Sequence, residues 1–111
     1  MTPKGKRIHL IEKDHRNRLT KVGDGLWESG HWNILESTAK KLLEGSILLH
    51  EKPRAASFFG GIILNYRLQD RGRLTGLVIF TFKYDAGHRG VMAEGKGWSR
   101  ETKIVAKGLR S

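Results

Sequence analysis

Apolar residues fall in short dense runs divided by glycine-rich or charged connections, a pattern that suits strands better than helices. Leu26 to Trp32 reads as a strand interrupted at Ser29-Gly30. Asn33 followed by Glu36 resembles a capping pair, and Leu35, Ala39, Leu42 and Leu43 at i, i+4, i+7 and i+8 share one helical face. Gly45 takes the usual glycine position after that helix. Ser46 to His50 and Phe58 to Tyr66 are β-rich, and the polar link His50-Glu51-Lys52-Pro53-Arg54 leaves the first of them. Asp70-Arg71-Gly72-Arg73 resembles a hairpin connection. Leu77 to Tyr84 then sets Val78, Phe80 and Phe82 against Ile79, Thr81 and Lys83, the two-residue period of a strand with one buried face. A glycine-rich loop over 85–97 precedes a last strand, Thr102 to Ala106.

Upstream, Arg7 to Glu12 is a candidate short strand, but Lys13 to Lys21 is too polar to bury, and Gly23-Asp24-Gly25 is a turn signal. The expected organisation is a basic flexible N-terminal arm (1–22), one β-rich domain (23–107) and a C-terminal tail (108–111). Many short strands with one helix predict an α+β, mostly β fold: a small curled or partial antiparallel β-barrel with one capping helix. A parallel α/β fold needs several crossover helices, and only one is visible.

At 111 residues the chain has the length of a single domain. It has no cysteine, which excludes disulfides and thiolate metal sites. No apolar run approaches the roughly 18 residues of a membrane span, and the N-terminus lacks the apolar stretch of a signal peptide. A cytoplasmic location without membrane contact is therefore expected. The formal charge is +10, with +5 in residues 1–22, +4 in 96–111 and only +1 between them. Such an excess favours a polyanionic partner, because each neutralised phosphate releases counterions. The competing explanation is that the basic ends are solvated tails.

Trp27, Trp32 and Trp98 offer flat faces on which bases stack, although tryptophans of small domains usually serve the core. Lys52 and Arg54 suit phosphate contacts, and His50 or Ser57 suits a hydrogen bond to a base edge. Lys4, Lys6, Arg7, Arg16, Arg18, Lys96 and Arg100 complete the candidate phosphate contacts. Arg67, Arg71 and Arg73 form a further basic stretch whose simplest role is solubility. Gly90-x4-Gly95-Lys96 matches most of a phosphate-binding loop, but Gly97 stands where a Ser or Thr would hold magnesium. The five histidines show no metal-ligand spacing. Ser29 near His31, with Asp24 or Glu28, makes only a sequence-proximity argument for a triad. No cofactor is expected.

The run from Trp27 to Tyr66 resembles the PUA-like superfamily, in the group of EVE, ASCH and YTH domains. The resemblance is carried by W-E-S-G-H-W, the helix ending L-L-E-G, the strand S-I-L-L-H-E-K-P and the strand S-F-F-G-G-I-I-L-N-Y. It covers roughly residues 26–84, and here Ser46 follows Gly45 where such domains commonly have Gly-Asp. It implies a small curled β-barrel that binds RNA or modified bases, with Trp27, Ser29, Trp32, His50, Ser57 and Phe58 nearest the pocket and Trp98 near a closing strand. The leading expectation is a nucleic-acid-binding module, for RNA or single-stranded DNA, without catalysis. One alternative is an ASCH-like hydrolase or nuclease using Lys52 or Ser57. The other is a basic phage- or plasmid-type factor that docks on an acidic protein.

Overall fold

Arg7-Ile8-His9-Leu10-Ile11 is an alternating run whose last four residues are all buried, so its backbone must find partners on both sides. The computed structural model, which describes residues 6–12, 19–93, 98 and 102–105, supplies them. The strands are β1 (Arg7–Ile11), β2 (Thr20–Gly23), β3 (Leu26–Trp32), β4 (Ser46–His50), β5 (Phe59–Leu68), β6 (Val78–Tyr84) and β7 (Thr102–Val105). One helix, α1, spans Glu36–Lys41, and short 3-10 turns occupy Gly72–Leu74 and Ala86–His88. The strands form one mixed sheet in the order β2-β3-β6-β5-β4-β1-β7. β1 runs parallel to β4 and antiparallel to β7, and the remaining neighbours are antiparallel. β2 and β7 are its edges, and among the described residues the sheet does not close on itself.

Among the described residues the architecture is thus mostly β with a single short helix. The folded unit begins inside the segment expected to be a free basic arm, because β1 lies between two other strands. Arg7, expected as a mobile phosphate contact, is fixed by register opposite Ser46 and Val105.

One sheet face carries the main core. Ile8, Leu10, Ile47, Leu49, Ile63, Val78, Phe80 and Phe82 pack there with Trp32, and α1 and the residue after it lay Ala39 and Leu42 on them. The alternation of β6 is as its sequence predicts. In β5 the register shifts between Ile63 and Asn65. That irregularity turns Tyr66, rather than Asn65, onto the core face after Ile63.

The helix differs from expectation at both ends. Leu35 is its N-cap, with no side-chain cap bond, and is 72% exposed, so the Asn33–Glu36 pair does not form. Glu36 instead accepts a 2.7 Å hydrogen bond from the Tyr66 hydroxyl, which ties the first turn to β5 and holds the Tyr66 pKa above its ordinary value. After the helix the left-handed residue is Glu44 (φ 68), not Gly45. Gly45 is needed for space: a Cβ there would lie 2.5 Å from the Lys6 carbonyl oxygen, where β4 begins beside β1.

Gly61 meets a similar constraint, since a Cβ would run into the Lys83 carbonyl oxygen of β6. Gly72, by contrast, has φ 79 with open space around it. Gly61→Ala is expected to cost at least about 3 kcal/mol in urea unfolding, the size of a core truncation. Gly72→Ala is expected to cost about 1 kcal/mol. Equal losses would contradict the close β5–β6 approach.

Candidate functional site

Parallel register sets Ile8 beside Ile47 on the core face, so His9, Ile11, Leu48 and His50 turn to the opposite face together. His9 and His50 are both fully buried there. Their facing nitrogens, His9 Nδ1 and His50 Nε2, are 2.8 Å apart. The link after β4 folds back through the bond from Ala55 N–H to Lys52 O, and the Ala55 carbonyl oxygen comes 2.8 Å from His50 Nδ1. A carbonyl only accepts, so His50 Nδ1 carries the hydrogen and its Nε2 accepts. His9 Nδ1 must then donate, which leaves His9 Nε2 as a free-standing acceptor. The order of donation fixes both tautomers.

Trp98 closes over this pair. Its ring centroid lies 6.2 Å from His9 and 5.8 Å from His50, edge-on to both at 60° and 89°. Glu12, also buried, donates its backbone N–H to the His50 carbonyl at 2.8 Å. Lys103 of β7 stands in register with His9 and is buried as well. Burial pushes the His9 pKa down to about 3, helped by the neighbouring His50, Arg7 and Lys103. Burial lowers that of His50 too, against the bond to Ala55, which raises it. Both rings are therefore neutral at pH 7. A strongly cationic chain thus holds a neutral acceptor at its interior. Among the described residues no group of His, Asp or Glu is arranged to hold a metal ion.

The residues expected at a pocket divide between the two faces. Trp32 is only 3% exposed, and its indole N–H donates to Ser29 Oγ at 3.0 Å, so these two satisfy each other inside the core. Trp27 packs edge-on against Phe59 at 4.9 Å, and Trp27 and Phe58 both lie against the core cluster. Ser57 is buried; its hydroxyl donates to His88 O at 2.6 Å and accepts from Val91 N–H at 3.0 Å, which clasps the segment after β6. His50 and Trp98 come together on the face opposite the core. Of the basic candidates, Lys52 and Arg54 are exposed on the link that carries Ala55, while Lys6 and Arg7 are half-buried. Lys4, Arg16, Arg18, Lys96 and Arg100 lie outside the described residues. Arg67 forks onto the Glu28 carboxylate with two 3.1 Å bonds, which raises its pKa and occupies its charge.

Sequence reasoning missed His9. The signal available was a histidine in the middle of the alternating run R-I-H-L-I, where a polar residue in a buried strand needs a partner from elsewhere.

Both imidazoles bind protons less readily in the folded chain than in the unfolded one. The contribution of His9 to stability is complete above the ordinary value of 6.5 and is lost as pH falls toward about 3, and that of His50 is lost in the same direction. Holding His9 neutral costs roughly 1.4 kcal/mol per pH unit across that window. Urea unfolding between pH 7 and 4.5 is expected to show a flatter pH dependence for His9→Gln than for the natural chain. Parallel slopes would contradict the buried neutral pair.

Comparison of the chain with protein-family models, with curated proteins and with solved structures returns no match, and the functional reading rests on the geometry above.

Proposed function

We propose that this protein is a nucleic-acid-binding module of the cytoplasm, in which basic residues hold phosphates and the His9–His50–Trp98 cluster receives a base. One observation carries the reading. His9 Nε2, an acceptor, and Trp98 Nε1, a donor, are both buried, and neither has a hydrogen-bond partner among the described residues. Leaving such groups unpaired costs about 1–3 kcal/mol each. A nucleobase offers a donor beside an acceptor on one edge, together with a flat face, so it suits both atoms.

Charge supports the same class of ligand. The formal +10 favours a polyanion, and Lys52 and Arg54 are exposed on the loop whose Ala55 carbonyl orients His50. Burial keeps the His9 acceptor neutral amid those cations, so charge binds the backbone and the histidine reads the base. The resemblance to PUA-like barrels leads to the same ligand class, with RNA or single-stranded DNA as the partner. In this reading Trp98, rather than Trp27 or Trp32, is the tryptophan at the ligand. The hydrolase alternative through Ser57 is disfavoured, because its hydroxyl both donates and accepts within the fold.

Fluorescence anisotropy with short RNA and single-stranded DNA oligonucleotides tests the proposal. Affinity is expected to fall steeply with salt, and the double substitution Lys52→Ala, Arg54→Ala is expected to reduce the log–log salt slope by about 1.4. Trp98→Ala is expected to weaken binding by about 1–3 kcal/mol while leaving the slope unchanged. Affinity weaker than millimolar for both oligonucleotides at low salt would overturn the reading.

A further inference from the structure

On the sheet face that bears His9, a second cluster of polar side chains forms at the start of β4. Ser46 Oγ lies 2.8 Å from His88 Nε2, and His88 Nδ1 lies 2.9 Å from Asp85 Oδ2. We propose that Ser46, His88 and Asp85 act as nucleophile, base and orienting carboxylate in the hydrolysis of small carboxylic esters, in the cleft beside them. The inference is independent of nucleic-acid binding.

Tautomer logic again decides what the contacts mean. The Asp85 carboxylate accepts from His88 Nδ1–H, which leaves a lone pair on Nε2. Ser46 O–H therefore donates to Nε2, the arrangement in which an imidazole can take a serine proton. Every member is held from outside the relay. Asp85 caps the 3-10 turn by accepting from Gly87 N–H at 3.3 Å through its other oxygen. The same turn is closed by the 2.9 Å bond from His88 N–H to Asp85 O. His88 lies directly over Gly60, where a Cβ would meet the Ile47 carbonyl oxygen first and would come 3.0 Å from the His88 Cβ. The backbone N–H of Ser46 is fixed by the Lys6 carbonyl at 2.9 Å. Ser46 and His88 are both buried, while the Asp85 side chain is half exposed.

A cleft adjoins the relay at Asp85, the one member that lines it, while Ser46 and His88 are buried next to that wall. Ile62, the strand partner of Ser46, lines it with Leu64, Lys83, Tyr84 and Asp85 itself, around a volume of about 240 Å³. That is below the roughly 300 Å³ at which drug-sized sites begin, and its walls are largely apolar, so it suits a short acyl group. Lys83 puts an ammonium among these walls and favours a substrate with negative character near the ester.

The step balances without any co-reactant except water. Ser46 Oγ forms a bond to the ester carbonyl carbon as its proton passes to His88 Nε2. The C–O bond to the alcohol then breaks, and the imidazolium gives its proton to the departing alkoxide. Water, deprotonated by the same Nε2, attacks the acyl-serine, releasing a carboxylic acid and restoring Ser46.

The two hydrogen bonds of the relay would also form in a purely structural tether, and reactivity separates the two cases. The folded natural chain is incubated with a fluorophosphonate probe and the adduct mapped by peptide mass spectrometry. A single adduct on Ser46 is expected, with none on Ser46→Ala. Asp85→Asn, at an exposed position, is expected to keep the thermal midpoint and to label at least about tenfold more slowly. Hydrolysis of p-nitrophenyl acetate is expected to fall in the same order. An unlabelled natural chain after overnight incubation, an adduct elsewhere, or an Asp85→Asn rate equal to the natural one would overturn the proposal.

Discussion

A histidine in the middle of a buried strand has two ring nitrogens to satisfy, and each one left unpaired costs about 1–3 kcal/mol. His9 satisfies one of them only because β1 runs parallel to β4. That direction brings the C-terminal ends of both strands to the same place, with His50 one step beyond His9 on the shared face. An antiparallel pairing would carry His50 away from it. The relay Ala55 O, His50, His9 follows from this pairing, and it sets the tautomers and leaves a buried lone pair on His9 Nε2.

The two sheet faces consequently differ in kind. The first is an ordinary apolar core, filled by Phe80, Phe82 and the aliphatic residues of β1, β4 and β5, with α1 as its cover. The second sets polar side chains of fixed direction among Ile11 and Leu48. At one end stand His9, His50 and Trp98, and at the other Ser46, His88 and Asp85. Ser57 links them, since it begins the return from the His50 loop and clasps the turn that carries His88. Apolar packing would tolerate small shifts of these strands. Directed hydrogen bonds between fully buried rings do not, so this face specifies one register.

Local pattern made much of the fold legible. β4 coincides with Ser46 to His50, β3 with Leu26 to Trp32, and β6 starts one residue inside the expected run, and in β6 the apolar spacing matches the burial. β1 was readable as a strand but not as the strand between β4 and β7, because its partners lie about 40 and 95 residues later and a five-residue run names no neighbour. The site was less legible still. Trp27 and Trp32 looked like ligand positions from their polar surroundings, yet Ser29 is the core partner of Trp32 rather than a recognition group. His50 and Trp98 were visible as candidate residues. Their relation to His9 was not, and neither was that of Ser46 to His88 across 42 residues of chain. Hydrogen bonds between distant side chains leave no periodic mark on a sequence.

The tautomeric relay can be observed directly. Long-range proton–nitrogen correlation spectra of the histidine rings at pH 7 report which nitrogen carries hydrogen and whether the ring is charged. The account predicts neutral Nδ1–H rings for both His9 and His50. An imidazolium at either position, or a hydrogen on Nε2 of His50, would contradict it.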